Sequence, residues 1–109
     1  MVVSVQHPND LDIKRLEKAF ESPAPDRLQN IIEKTPGGYI IVESRPPWDG
    51  SERPWTRSPV AKIVFVKSTG VWKLYWMRAS GKWVLYRELG SLNEAIDTIK
   101  ADEDHCFWG

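Results

Sequence analysis

The 109-residue chain has one cysteine, two histidines and no apolar run approaching the roughly 20 residues that cross a bilayer. A lone Cys106 excludes an internal disulfide framework and fits a reducing compartment. The start, Met1 to His7, carries no basic residue ahead of the short apolar run Val2-Val3-Ser4-Val5, so no export signal is expected. A soluble, cytoplasmic protein with no membrane partner follows from these absences. Net charge is zero, which lacks the strongly basic balance of a dedicated nucleic-acid protein.

The composition is that of one ordinary globular domain, expected to span 1–109 with a loose terminus at 1–8. The zero charge hides a segregation. Residues 1–44 carry five basic against seven acidic side chains, residues 45–87 nine against two, and residues 88–109 one against six. The middle is therefore basic, and it holds five of the six tryptophans, Trp108 being the exception.

Apolar residues at Leu11, Ile13, Leu16, Ala19 and Phe20 recur at three and four and predict a helix over 10–21, capped by Asn9 or Asp10 and stopped by Pro23 and Pro25. Residues 26–34 fit a helical turn or an edge strand. The turn Thr35-Pro36-Gly37-Gly38 before Tyr39-Ile40-Ile41-Val42-Glu43 favours a strand and a hairpin. Residues 45–59 then read as one long connection containing Pro46, Pro47, Pro54 and Pro59.

Strands over 60–67, 71–79 and 82–88 follow, joined at Thr69-Gly70 and Ser80-Gly81. Those turns pair Phe65 with Leu74, Ile63 with Trp76, Arg78 with Trp83, Tyr75 with Tyr86 and Lys73 with Glu88. One face of this meander holds Ala61, Ile63, Phe65, Trp72, Leu74, Trp76, Trp83 and Leu85, a core composition. The other holds Lys62, Val64, Val66, Lys73, Tyr75, Met77, Lys82, Val84 and Tyr86. The sequence Ser91-Leu92-Asn93-Glu94 has the form of a capping box, opening a helix that ends near Ala101. The terminal Phe107-Trp108 is expected to dock on the core. The fold predicted is α+β: an antiparallel meander of about five strands with N- and C-terminal helices packed on one face.

Arg45-Pro46-Pro47-Trp48, Trp55 with Pro59-Val60-Ala61-Lys62, Trp72-Lys73-Leu74-Tyr75-Trp76, Trp83, Tyr86 and Cys106-Phe107-Trp108-Gly109 together resemble a family of small bacterial domains of unknown function, DUF3024, over roughly residues 10–109. The resemblance implies a bacterial source and a compact α+β domain, and it implies no catalytic residue.

Two binding functions compete on the residues. Lys62, Lys73 and Lys82 interleaved with Tyr75 and Tyr86, helped by Arg53 and Arg57, could stack bases and neutralise the phosphates of a nucleic acid or another polyanion. Alternatively, Arg45, Trp48, Trp55 and Arg57 in a proline-rich loop have the composition of a protein contact or a self-association surface. The bland alternatives are lysines that merely solvate an open sheet and tryptophans folded back as plugs. An enzyme is the weakest reading. Only Asp102, Asp104, His105 and Cys106 cluster, with no second Cys/His pair, so no catalytic residue, metal or cofactor is expected.

Overall fold

A computed structural model of the chain describes residues 6–108. In chain order the elements are α1 (Asp10–Ala19), β1 (Gln29–Thr35), β2 (Gly38–Arg45), β3 (Thr56–Val66), β4 (Val71–Met77), β5 (Trp83–Leu89) and α2 (Leu92–Ala101). The strands form one antiparallel meander in sequence order. The expected α+β architecture is therefore present, and residues 29–35 are a strand.

Both helices lie on one face of the sheet. Leu16 and Phe20 of the α1 segment and Leu92, Ala95, Ile96 and Ile99 of α2 close on Tyr39, Ile41, Ala61, Ile63, Trp72 and Leu74 in a single buried cluster. Arg15 of α1 reaches Asn93 of α2, tying the two helices together. Local signals agree with these elements. Asn9 Oδ1 accepts from the Asp12 amide at 2.8 Å and caps α1. Ser91 Oγ accepts from the Glu94 amide at 3.2 Å, while the Glu94 carboxylate turns back to the Gly90 amide at 2.7 Å.

Four sequence expectations are corrected. First, the connection is shorter than 45–59. Arg45 pairs with Thr56 and β3 runs through Pro59, which lies opposite Val42 where the register shifts. Proline has no amide to give a ladder, so a strand admits it at such an irregularity. Second, β3 and β4 pair Phe65 with Trp72 and Ile63 with Leu74. The slip from the expected register is two residues, so the faces survive. Third, β4 and β5 pair Met77 with Trp83 and Tyr75 with Leu85 before a bulge restores Lys73 opposite Glu88. This slip is one residue, which turns Trp83 and Leu85 away from the helices and Tyr86 towards them. Fourth, α1 ends at Ala19, two residues short of the expected stop, with Phe20 as its cap.

The molecule measures 55 × 27 × 22 Å. Its length has a specific origin: residues 56–59 of β3 pair with β2 alone, because β4 reaches only to Ala61. The β2–β3 ribbon thus extends past β4 and β5 as an arm, with residues 46–55 at its tip.

Candidate functional site: the arm tip and the open sheet face

At the tip, Asp49 organises the loop. Its carboxylate accepts from the Ser51 amide at 3.0 Å and from Arg53 Nη2 at 2.7 Å, while Arg53 Nε donates to Ser51 Oγ at 2.9 Å. These bonds, with the Ser51 amide first, hold the Asp49 carboxyl below its ordinary range. Gly50 supplies the positive φ of 72° that the turn needs, and its amide closes on the Pro47 carbonyl at 3.2 Å. Trp48 projects from this stapled turn with 92% of its surface exposed, whereas Trp55 is 38% exposed. The plug expected as the bland reading is therefore not what Trp48 does. Beside it lies a groove of about 480 Å³ walled by Arg45, Pro46, Pro47, Arg53, Pro54 and Thr56.

All three arginines of this region are matched by carboxylates of the same chain. Arg45 Nε meets Glu43 at 2.9 Å, Arg53 meets Asp49, and Arg57 meets Glu33 of β1. The last pair crosses β2: Arg57 is opposite Ser44 and Glu33 is opposite Ile40, so the bridge passes over Val42 between them. Val42 is fully buried and Ser44 nearly so, although both lie on the face away from the helices. Val42 is flanked there by its strand partners Ile31 and Pro59. Exposed ion pairs of this kind contribute about 0–1 kcal/mol, so their consequence is geometric and electrostatic more than energetic.

The open face carries Lys62, Lys73 and Tyr75, as expected, with the Lys62 ammonium 5.6 Å from the centre of the Tyr75 ring. Lys73 faces Glu88 at 3.9 Å. Lys82 lies in the β4–β5 turn. Tyr86 does not belong here. On the helix side its ring meets Phe107 edge to face at 5.2 Å, and its hydroxyl donates to Asp104 at 2.6 Å, which raises the phenol above its usual range. Trp83 takes its place on the open face, because the one-residue slip sets it opposite Met77.

The cluster Asp102, Asp104, His105 and Cys106 has a structural explanation. Asp102 binds backbone amides of the tail, Asp104 accepts from Tyr86, and the Cys106 thiol is raised by burial. Among the described residues no three His, Cys, Asp or Glu side chains stand close enough to hold a metal. No helix is long and apolar enough to cross a membrane. His7, by contrast, was passed over in the sequence as part of a loose terminus. Its side chain is 7% exposed, packed between Phe65 and Trp72 and bonded to Tyr39. The five residues before Gln6 lie outside the described part of the chain.

Fold and surface together define a small α+β domain with helices on one side of an open meander and an aromatic arm at one end. The chain belongs to DUF3024, a domain of unknown function, whose family model matches residues 4–109. No curated protein and no solved structure matches it.

Proposed function

We propose that the chain is a non-catalytic peptide-binding module that docks an extended apolar segment of a partner protein against Trp48 and the prolines beside it. The observation that carries this reading is the exposure of Trp48 on a turn already ordered by Asp49, Ser51 and Arg53. An indole held in water forfeits the burial that the same ring would gain in a core, and tryptophan is the commonest residue at which contact energy concentrates. A preformed loop loses little conformational entropy when a partner lands on it. The arginines beside the groove are already neutralised by Glu43 and Asp49, which suits an apolar ligand better than a phosphate.

A second reading, polyanion binding on the open face, draws on a different observation. Among the described residues Lys62 and Lys82 have no carboxylate partner, and Lys62 overlies the exposed side of Tyr75. The face is less basic than the sequence suggested, because Arg57 is engaged by Glu33.

Selection of a displayed random-peptide library against the domain separates the two. Peptides enriched on the wild type are expected to weaken at least about tenfold with Trp48→Ala, equivalent to about 1.4 kcal/mol, and to be unaffected by Lys62→Ala with Lys73→Ala. No enriched peptide, together with salt-sensitive binding of a single-stranded oligothymidylate that the lysine substitutions abolish, would establish the second reading instead.

A further inference from the structure

The approach to α1 is built around a histidine that neither reading of the surface uses. Tyr39, fully buried on β2, accepts a hydrogen bond from the Asn9 amide at 3.0 Å and lies 2.9 Å from His7 Nδ1. A phenol has one proton to give. With its oxygen already accepting from Asn9, that proton is free to bond Nδ1, and the Asn9 side-chain nitrogen, itself a donor, stands 3.3 Å from the same atom, so both contacts suit the unprotonated nitrogen of a neutral ring. The imidazole centre is 4.6 Å from that of Trp72, 5.0 Å from Phe65 and 6.0 Å from Tyr39. The charged and titratable groups around it are few: Asp12 of α1 at 3.4 Å, Arg15 which pairs with Asp12 at 3.1 Å, Tyr39 of β2, and Lys67, which shares a small cavity with His7, Gln6, Gly37 and Phe65.

We propose that His7 is a proton-controlled latch: neutral, it fastens the segment 6–9 to Tyr39 and covers the Phe65–Trp72 aromatic pair, and protonated, it lets that segment lift away. A proton added at Nδ1 confronts the Tyr39 hydroxyl with two donors, the imidazolium and the Asn9 amide, and forces the phenol hydrogen to turn towards Asp12. The new cation is also enclosed by rings. Burial, the larger influence, holds the His7 pKa below the ordinary 6.5, while Asp12 opposes it by favouring the cation. The sign follows. The folded state resists protonation, so the segment is held most firmly above pH 6.5, and its hold declines as pH falls from there through the folded-state pKa. Asn9 also caps α1, and its side chain donates to the Gln6 carbonyl at 2.8 Å, so release of His7 loosens the start of that helix.

Proton titration by NMR reads the His7 midpoint directly. The His7 midpoint is expected to lie below the ordinary 6.5. Hydrogen exchange of the Asn9 amide, corrected for its intrinsic rate, should accelerate over the same pH range. The acceleration should be about tenfold for each unit separating the His7 midpoint from 6.5, and it should vanish in His7→Gln, which keeps polar atoms but cannot titrate. The Leu74 amide, deep in the sheet, should remain far better protected than Asn9 at every pH. The latch is overturned if His7 titrates at 6.5 or above, or if Asn9 protection is unchanged while His7 titrates. It is equally overturned if Asn9 and Leu74 exchange together, since the segment then opens only with the whole domain. Should His7→Gln fail to fold, Asp12→Asn replaces it: losing the favourable carboxylate must move the His7 midpoint further down.

Discussion

Gly38→Ala is expected to cost about 3 kcal/mol, at the upper end of what overpacking a core imposes. The neighbour it would strike is backbone. A Cβ at Gly38 overlaps the Ile63 carbonyl oxygen and comes within 2.9 Å of Val64 Cα, so no side-chain rotation relieves it. Strands β2 and β3 must separate there, where Gly38 pairs with Val64 and the Phe65 amide donates to the Gly37 carbonyl at 3.0 Å. These strands also support the arm. Urea denaturation checks the value, and a loss below about 1 kcal/mol, the level of an ordinary surface change, would mean that the two strands do not approach so closely.

Asp102→Ala is expected to cost about 2–4 kcal/mol and to free the tail. Asp102 closes α2 in the left-handed region at φ 42°, and its carboxylate accepts from the Phe107 amide at 3.0 Å and the Trp108 amide at 2.9 Å. Bonds to a charged acceptor contribute about 1.5–3 kcal/mol each, and the Phe107 amide is left buried without a partner when the acceptor goes. Those two bonds aim the indole of Trp108, whose Nε1 donates to the Ile99 carbonyl at 3.0 Å. Asp102→Asn keeps one accepting oxygen and turns an amide donor towards the other N–H, so it should fall between wild type and alanine. Thermal denaturation with near-ultraviolet circular dichroism reads both effects. An alanine variant as stable as the wild type would show that the tail docks through Phe107 and Trp108 alone.

What the sequence disclosed and what it hid divide along physical lines. Periodicity exposed α1, α2 and the strand order because each depends on neighbours within a few residues. Register did not follow from the turns. At Ser80-Gly81 the strands part earlier than a two-residue turn requires: the Arg78 amide bonds the Lys82 carbonyl at 2.9 Å and the ladder begins at Met77 and Trp83. One residue of slip exchanged Tyr86 for Trp83 on the open face, and the bulge that restores Lys73 opposite Glu88 left no local mark. Composition marked Arg45-Pro46-Pro47-Trp48 as a candidate contact, but 45–59 read as a long loop and not as the tip of a paired ribbon. The charge balance of the arm was not legible either, because Arg57 finds Glu33 two strands away. His7 was hidden for the same reason: its partner Tyr39 is 32 positions distant. Asp102, read only as one of a cluster with Asp104, His105 and Cys106, is a buried anchor whose ligands are backbone amides that any sequence would carry.

The account turns on Trp48 as the contact point, and the indole N–H signals of the six tryptophans read that most directly. On titration with a peptide selected against the domain, the Trp48 signal should shift or broaden strongly and that of Trp55 to a lesser degree. Those of Trp72, Trp76 and Trp108, which pack with the core, should stay in place. A titration in which Trp48 is unmoved while Trp83 responds, or in which only an oligonucleotide perturbs the spectrum, would contradict the assignment and move the binding surface to the open face.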